Sequence, residues 1–76
     1  GNEELFGIEV EAGSSLDGVA LKDLREDVVV VSVVRAASEQ IPRGDTVLTA
    51  GDQLVVAGKP EAIRRFGQRA KRTLTE

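Results

Sequence analysis

The sequence predicts a small α+β domain with the element order β-α-β-β-β-α, in which helices cover a mixed or antiparallel sheet. Three observations lead to this prediction. Apolar and acidic residues alternate at 5–11, as they do in a strand with one solvated face. A valine-rich run at 28–34 has the β-branched composition of a strand. A Pro-Glu pair at 60–61 opens a stretch whose apolar residues recur at helical spacing.

The first strand is expected over Leu5–Glu11, with acids on its solvated face. The residues before it, 1–4, are predicted to be a disordered or tag-derived start, and residues 5–76 to form a single domain. Turn-forming residues at 12–15 separate this strand from residues 16–25, where leucines recur at near-helical spacing. A short amphipathic helix is therefore expected at 16–25, although Gly18 weakens its first turn.

The centre of the chain is a run of seven residues, Val28–Val34, that is apolar apart from Ser32. Such a run is typical of a strand covered on both faces, and Arg35 ends it. The next three residues, 36–38, are expected to turn. The chain is then predicted to return as a short strand, 39–41, which Pro42 stops because proline cannot donate to a sheet ladder.

A Gly-Asp step occurs twice after this hairpin, at 44–45 and at 51–52. Glycine permits positive φ and aspartate can hydrogen-bond nearby backbone, so two turns are predicted, with Val47 and Leu48 facing inward between them. Residues 54–57 are expected to form the next strand. A final helix is predicted from Pro60 to about Thr73, with an inward apolar stripe that consists of Ile63, Phe66, Ala70 and Leu74.

Length and composition restrict what the chain can do. A chain of 76 residues buries only about 60% of the surface that its unfolded form exposes, and it contains no Cys for a disulfide. Association with a copy of itself or with a larger partner is therefore expected, so the chain is an oligomer or a fragment of something bigger. The net charge is −3, with acids concentrated before residue 28 and bases after residue 59, which argues against a nucleic-acid partner. The basic C-terminal helix could face a membrane or an acidic protein, but a solvated face is the favoured interpretation.

The residue inventory also disfavours catalysis and metal binding. There is no His, Cys or Tyr, and neither S-x-x-K nor G-x-S-x-G occurs, so no enzyme activity and no catalytic residues are predicted. Asp45 and Asp52 could serve a Ca²⁺ ion, since hard cations prefer carboxylates. Turn formation explains both aspartates without a metal, and their spacing is not that of an EF-hand, so no metal is predicted.

The order of these motifs resembles the TrkA-C domain, the C-terminal subdomain of the regulator-of-potassium-conductance (RCK) family. The resemblance covers residues 7–70 and is most specific in the segment with the two Gly-Asp steps. No G-x-G-x-x-G occurs, so NAD or ATP binding is not carried over from the nucleotide-binding half that usually precedes this domain. The matching motifs are I-E-V at 8–10, G-S-x-L-x-G at 13–18, x-L-x-x-L-R ending at Arg25, a valine strand ending at Arg35, I-P-x-G-D-T-V-L-x-x-G-D-x-L-V-V-x-G at 41–58, and P-E-x-I-x-x-F at 60–66.

The resemblance implies a cytoplasmic homodimer that regulates a potassium or other cation channel, transporter or antiporter at the inner face of the membrane. In some members of the family the two-fold interface binds cyclic di-AMP, whose own two-fold symmetry meets both copies equally. By position, Arg35 would contact phosphate, as the fork of an arginine suits two oxygens, and Gln40 would make a polar contact. Val34, Ile41 and Pro42 would flank the base.

Each of these roles has a plainer alternative. Arg35 could be a solvated charge at a strand end or a partner of Glu39, and Ile41 and Pro42 could stop a strand and pack at an interface. No cofactor is implied beyond the possible cyclic di-AMP ligand. The rival function is a structural dimerisation module that binds no ligand and is appended to a membrane permease.

Overall fold

The computed structural model describes residues 3–72 and contains four strands and one α-helix. The strands are β1 (Glu4–Glu9), β2 (Val28–Arg35), β3 (Ser38–Gln40) and β4 (Gln53–Gly58), and the helix is α1 (Pro60–Arg69). All strand pairs are antiparallel, in the order β1-β4-β2-β3. The predicted α+β class and antiparallel sheet are confirmed. Of the predicted disordered or tag-derived start, Gly1 and Asn2 lie outside the described residues, whereas Glu4 is the first residue of β1 and pairs with Gly58 of β4. Thr73 and Leu74, at the end of the predicted final helix, also lie outside the described residues.

One predicted helix is wrong. Residues 16–25 form turns and a single 3₁₀ turn, Leu21–Asp23, because their backbone groups bond to a distant segment instead of to one another. Gly18 donates to the Leu48 carbonyl at 2.7 Å, and Leu21 donates to the Thr46 carbonyl at 2.9 Å. Gly18 also has φ +93°, a conformation that a helix excludes. The apolar residues of this stretch therefore reach the core from extended and turn conformations.

The final helix is shorter than predicted, ending at Arg69 instead of near Thr73. The chain leaves the helix because the next residues bond to the loop after β1. Glu11 donates to the Ala70 carbonyl at 2.8 Å, and the Arg72 amide donates to the Glu11 carboxylate at 2.7 Å. Pro60 does occupy the first turn, as its fixed φ favours, and Glu61 lies beside it.

The core lies between α1 and one face of the sheet. Phe66 is fully buried in it, as are Leu54 and Val56 of β4 and Val33 of β2. From the loops, Val10, Leu16 and Leu48 complete the core, so Leu48 faces inward as predicted whereas Val47 is 46% exposed. A fully buried aromatic ring and its aliphatic neighbours supply most of the burial free energy available to so small a chain.

The opposite face of the sheet is uncovered within residues 3–72. We call it the open face, and its exposed apolar residues are Leu5, Val29, Val31 and Val55. The prediction that 28–34 is covered on both faces is therefore wrong for the isolated chain: Val29 is 64% exposed and Val31 50% exposed. A register shift between Val30 and Ser32 inserts Val31 as an extra residue opposite β4. Within the same residues, no helix is long and apolar enough to cross a bilayer.

Candidate functional site

The β2–β3 hairpin brings together three of the predicted ligand residues. Val34 lies opposite Glu39, and Arg35 opposite Ser38, while Gln40 closes β3 opposite Val33. The connecting turn consists of only Ala36 and Ala37, both with positive φ, at 51° and 66°. Two left-handed residues in a two-residue loop match the twist of a hairpin, but alanine adopts this conformation at a cost of about 1–2 kcal/mol per residue.

Arg35 is bound to Asp52, the residue just before β4. Its Nε donates to Oδ1 and its Nη2 to Oδ2, each at 2.8 Å, in a two-point ion pair. Nη2 also donates to the Val47 carbonyl at 2.9 Å. Arg35 thus joins the end of β2 to both ends of the 47–52 loop.

Asp52 is only 1% exposed, and its hydrogen bonds are those of an ionised carboxylate. The ion pair with Arg35 lowers its pKa below the ordinary value, against the effect of burial, and the Thr49 amide, which donates to Oδ2 at 2.8 Å, lowers the pKa further. The same contact raises the pKa of Arg35, which stays cationic. Asp52 is therefore a charged, buried anchor and not a proton donor.

Part of the Arg35 guanidinium remains available to a ligand. The side chain is 41% exposed, and within residues 3–72 its Nη1 donates to no protein group. The arrangement can present one positively charged N–H edge to an anion while the opposite edge is fixed by Asp52.

The remaining predicted residues follow directly after β3. Ile41 is 75% exposed, more than any other large apolar residue of the described chain. Pro42 is half-buried and lines a groove beside the 3₁₀ turn. The side-chain amide of Gln40 donates to the nearby Ser38 carbonyl at 3.4 Å. Val34 borders a shallow depression with Ala36, Ala37 and Val55. Val34 and Arg35 thus lie next to the turn of the hairpin, whereas Ile41 and Pro42 follow the other end of β3. Within residues 3–72 the side chains of the five residues form no hydrogen bonds with one another.

The partner of Arg35 was not anticipated. Glu39, the expected candidate, accepts a hydrogen bond from the Ser32 hydroxyl at 3.0 Å instead. The two Gly-Asp steps also differ, since Asp52 is buried in an ion pair whereas Asp45 is exposed. Asp52 stands immediately before β4, which neighbours β2, and the sequence alone does not show that these two strands pair. In the part of the chain that the structure describes, no three acidic side chains converge as metal ligands.

A second ion pair lies at the other end of the domain and was also missed. The Nη1 of Arg69, on α1, donates to both oxygens of Glu26 at 3.0 and 3.1 Å. Its Nε donates to the Ser15 hydroxyl at 3.1 Å. Arg69 thus fixes the end of α1 to the loop before β2, which is a structural role beyond its favourable place near a helix C-terminus.

The chain is similar in sequence to two proteins whose names refer to transport. The chain is 38% identical over 81 residues to the Trk system potassium uptake protein TrkA homolog of Archaeoglobus fulgidus, covering 99% of this chain and 19% of that protein. It is 42% identical over 50 residues to an uncharacterized transporter of Bradyrhizobium diazoefficiens, covering 60% of this chain and 9% of that protein. The chain thus spans less than a fifth of the length of these relatives.

A solved structure has the same fold. It is described as the structure of an RCK domain with cda, and it is 26% identical, with a TM-score of 0.79, covering 88% of this chain and 97% of that one. The TrkA-C domain family matches residues 5–71. This range includes the whole of α1 and all four strands except Glu4, the first residue of β1. On this match, the protein belongs to the TrkA-C domain family.

Proposed function

We propose that this chain is the regulatory, ligand-sensing domain of a potassium or other cation channel, transporter or antiporter. Membership of the TrkA-C domain family carries the proposal. Two relatives are named as a potassium uptake protein and a transporter, and the chain spans a small share of each, as expected of a domain attached to larger machinery. The domain works at the cytoplasmic, inner face of the membrane, without catalysis and without nucleic acid as a partner.

The domain acts as a homodimer in this proposal. The open face leaves Leu5, Val29 and Val31 in water, with exposures of 67%, 64% and 50%. Burying these apolar side chains against a second copy would be favourable, and it would cover a valine-rich strand surface that otherwise invites aggregation. A two-fold pairing would use the same patch on both subunits, as most soluble dimers do.

Sedimentation equilibrium tests the dimer. The unaltered chain is expected to sediment as a dimer at micromolar concentration, and Val29→Glu is expected to shift it to monomer because a carboxylate would be buried without a partner. Arg64→Glu, an exposed change on α1, is the matched control and should leave the dimer intact. A monomer at all concentrations would contradict the proposal.

Cyclic di-AMP is the proposed ligand, bound by Val34, Arg35, Gln40, Ile41 and Pro42 at the homodimer interface. The supporting observation is that the Arg35 side chain is 41% exposed and Ile41, directly after the same hairpin, is 75% exposed, so this part of the chain offers both a cation and an apolar side chain. The similar RCK domain was solved with cda, an abbreviation that fits this ligand. Binding that ties two subunits together would favour one arrangement of the attached membrane protein.

Calorimetric titration tests this ligand. One cyclic di-AMP per dimer is expected, with Ile41→Ala weakening the affinity, because Ile41 is exposed and its loss spares the core. Arg35→Ala should weaken binding too, but it also removes the partner of buried Asp52, so it needs a parallel stability measurement. Titration without heat at high ligand concentration would contradict cyclic di-AMP as the ligand.

The second candidate is a structural dimerisation module without a ligand, appended to a membrane permease. It is favoured by the engagement of Arg35 with Asp52 and the Val47 carbonyl, which gives the arginine a purely structural task. This alternative predicts an intact dimer that gives no heat with cyclic di-AMP. The flanking sequence also separates the two: a Rossmann-like half before the chain favours the sensor, and about ten hydrophobic spans favour the permease.

A further inference from the structure

A dense group of cations lies on and beside α1, and we call it the basic face. Ala62, Ile63 and Phe66 are buried against the sheet, so the side of the helix opposite to them faces water. The ten residues of α1 extend only about 15 Å, so cations along the helix and at its ends lie near one another. The members of the basic face are all exposed: Lys59, Arg64, Arg65, Lys71 and Arg72.

The rest of the domain does not neutralise these cations. Within residues 3–72, no member of the basic face forms an ion pair, and none of their side chains donates a hydrogen bond. Glu61 is the only acid at 59–72, and one carboxylate cannot balance five cations. Arg69 shows the contrast, because it is tied to Glu26 and therefore has a structural task that the basic face lacks.

The net charge of −3 hides this positive surface, because the two signs are separated along the chain. Residues 3–27 hold eight acids and two bases, whereas residues 59–72 hold six bases and one acid. The domain measures 39 × 30 × 21 Å, and exposed charges more than about 8 Å apart are largely screened at physiological ionic strength. The local charge of the basic face therefore decides what this side of the domain attracts.

The chemistry of the basic face favours an extended anionic surface over a folded protein partner. The core of a protein interface is apolar and poor in charge. The exposed large apolar residues of the described chain all lie before residue 56, so the basic face offers no apolar anchor. Long, unpartnered Lys and Arg side chains need no matching shape to bind closely spaced phosphate headgroups, and such clusters are attracted to anionic lipid.

We propose that the basic face binds the surface of an anionic lipid bilayer, with its cations at the headgroup phosphates and no side chain inserted among the acyl chains. The proposed function brings the domain to the membrane only through an attached transport protein, and this inference goes beyond it by adding a direct lipid contact. The proposed dimer leaves this contact available, because α1 and the open face lie on opposite sides of the sheet.

Co-sedimentation with lipid vesicles tests the proposal. The unaltered chain is expected to bind vesicles made of equal parts phosphatidylcholine and phosphatidylglycerol, to ignore pure phosphatidylcholine vesicles, and to be released by added salt. The double variant Arg64→Ala, Arg65→Ala should bind at least tenfold more weakly, since each cation near such a surface strengthens binding about fivefold. The matched control, Lys22→Ala with Arg43→Ala, removes the same charge at exposed positions outside 59–72 and should bind normally.

Three results would overturn the proposal. The first is an unaltered chain that does not bind the anionic vesicles at low salt. The second is equal weakening by the two double variants, which would show that net charge alone attracts the chain. The third is binding to polyglutamate without binding to the vesicles, which would assign the basic face to an acidic protein. None of these results bears on the cyclic di-AMP titration or on the dimer, which are measured without lipid.

Both double variants are expected to fold. The four replaced side chains are exposed and form no hydrogen bonds within residues 3–72, since Arg43 donates there only through its backbone amide. Far-ultraviolet circular dichroism checks that each variant keeps the structure of the unaltered chain, so a loss of vesicle binding reports on the basic face itself.

Discussion

The guanidinium of Arg35 donates to both carboxylate oxygens of Asp52, each at 2.8 Å, although the two residues are seventeen positions apart in sequence. The Arg35 side chain is 41% exposed and the Asp52 side chain only 1%, so the two partners differ in their access to water. Loss of the aspartate leaves a cation that water can reach. Loss of the arginine leaves a buried anion that, among residues 3–72, keeps the hydrogen bond from the Thr49 amide but no cationic partner.

Arg35→Ala is therefore expected to lower the free energy of unfolding by about 3 kcal/mol, since an uncompensated buried charge remains. Urea denaturation at neutral pH measures this loss. Arg64→Ala, on the exposed face of α1, is the control and should change stability by less than about 0.5 kcal/mol. Equal small effects of the two substitutions would show that the Asp52 carboxylate does not depend on Arg35.

Acid should weaken the domain through Asp52. Because Arg35 holds the pKa of Asp52 below its ordinary value in the folded chain, the folded state binds fewer protons than the unfolded state. The resulting stabilisation is complete above the ordinary aspartate pKa of about 3.9 and disappears as the pH falls through the lower folded pKa. Urea midpoints from pH 7 to pH 2 should converge for the unaltered chain and Asp52→Asn. Parallel curves would contradict this assignment.

The two Gly-Asp steps should respond differently to alanine. Gly51 has φ +92°, so Gly51→Ala should cost about 1 kcal/mol, the left-handed strain being only partly offset in the unfolded chain. Gly44 lacks a positive φ, and a Cβ there would meet the Lys22 Cβ at an ordinary 3.6 Å. Gly44→Ala should therefore be neutral or slightly stabilising. Equal losses in urea denaturation would show that the steps are equivalent.

The turn between β2 and β3 can be improved. Replacing Ala36–Ala37 with Asn-Gly suits two positive-φ positions and should stabilise the domain by about 1 kcal/mol, raising Tm by roughly 4–8 °C. Ala50→Gly, at a residue without positive φ, serves as the control and should lower Tm, since glycine there only adds freedom to the unfolded chain. A fall in Tm for both would mean that the alanines are not strained.

Local signals predicted those elements that depend on local chemistry. The start of α1 at Pro60 and the hairpin around Ala36–Ala37 follow from residues within a few positions of one another. The helix predicted at 16–25 was wrong because this segment depends on distant contacts. Gly18 donates to the Leu48 carbonyl and Leu21 to the Thr46 carbonyl, and the spacing of residues within the segment does not reveal these bonds. Apolar residues three or four apart suit a helix, but they also suit turns laid against a core.

The candidate site shows the same division. Arg35, Ile41 and Pro42 were proposed as ligand residues because they stand in a recognisable motif, and the structure places them on or next to the β2–β3 hairpin. The partner of Arg35 was missed since its choice between Glu39 and Asp52 depends on which strands become neighbours. The open face was missed for a related reason. Four consecutive valines indicate an apolar strand, but they do not show whether another layer of the protein covers each of its two faces.

The strand order β1-β4-β2-β3 also has a consequence for how the chain acquires its structure. Among the described strands, β1 pairs only with β4, so Glu4 has no pairing partner until Gly58 has been synthesised. Within the same sheet, β2 is connected to β1 only through β4. Pairing of β1 with β4 requires closure of the long loop between them, and this loses conformational entropy before the strand contacts form. Sheets built from strands that are distant in sequence therefore fold slowly. During synthesis the valine strand can first form only its hairpin with β3. A nascent chain halted before Gln53 would therefore hold a two-stranded ribbon, and the sheet would assemble only when β4 emerges and enters its centre.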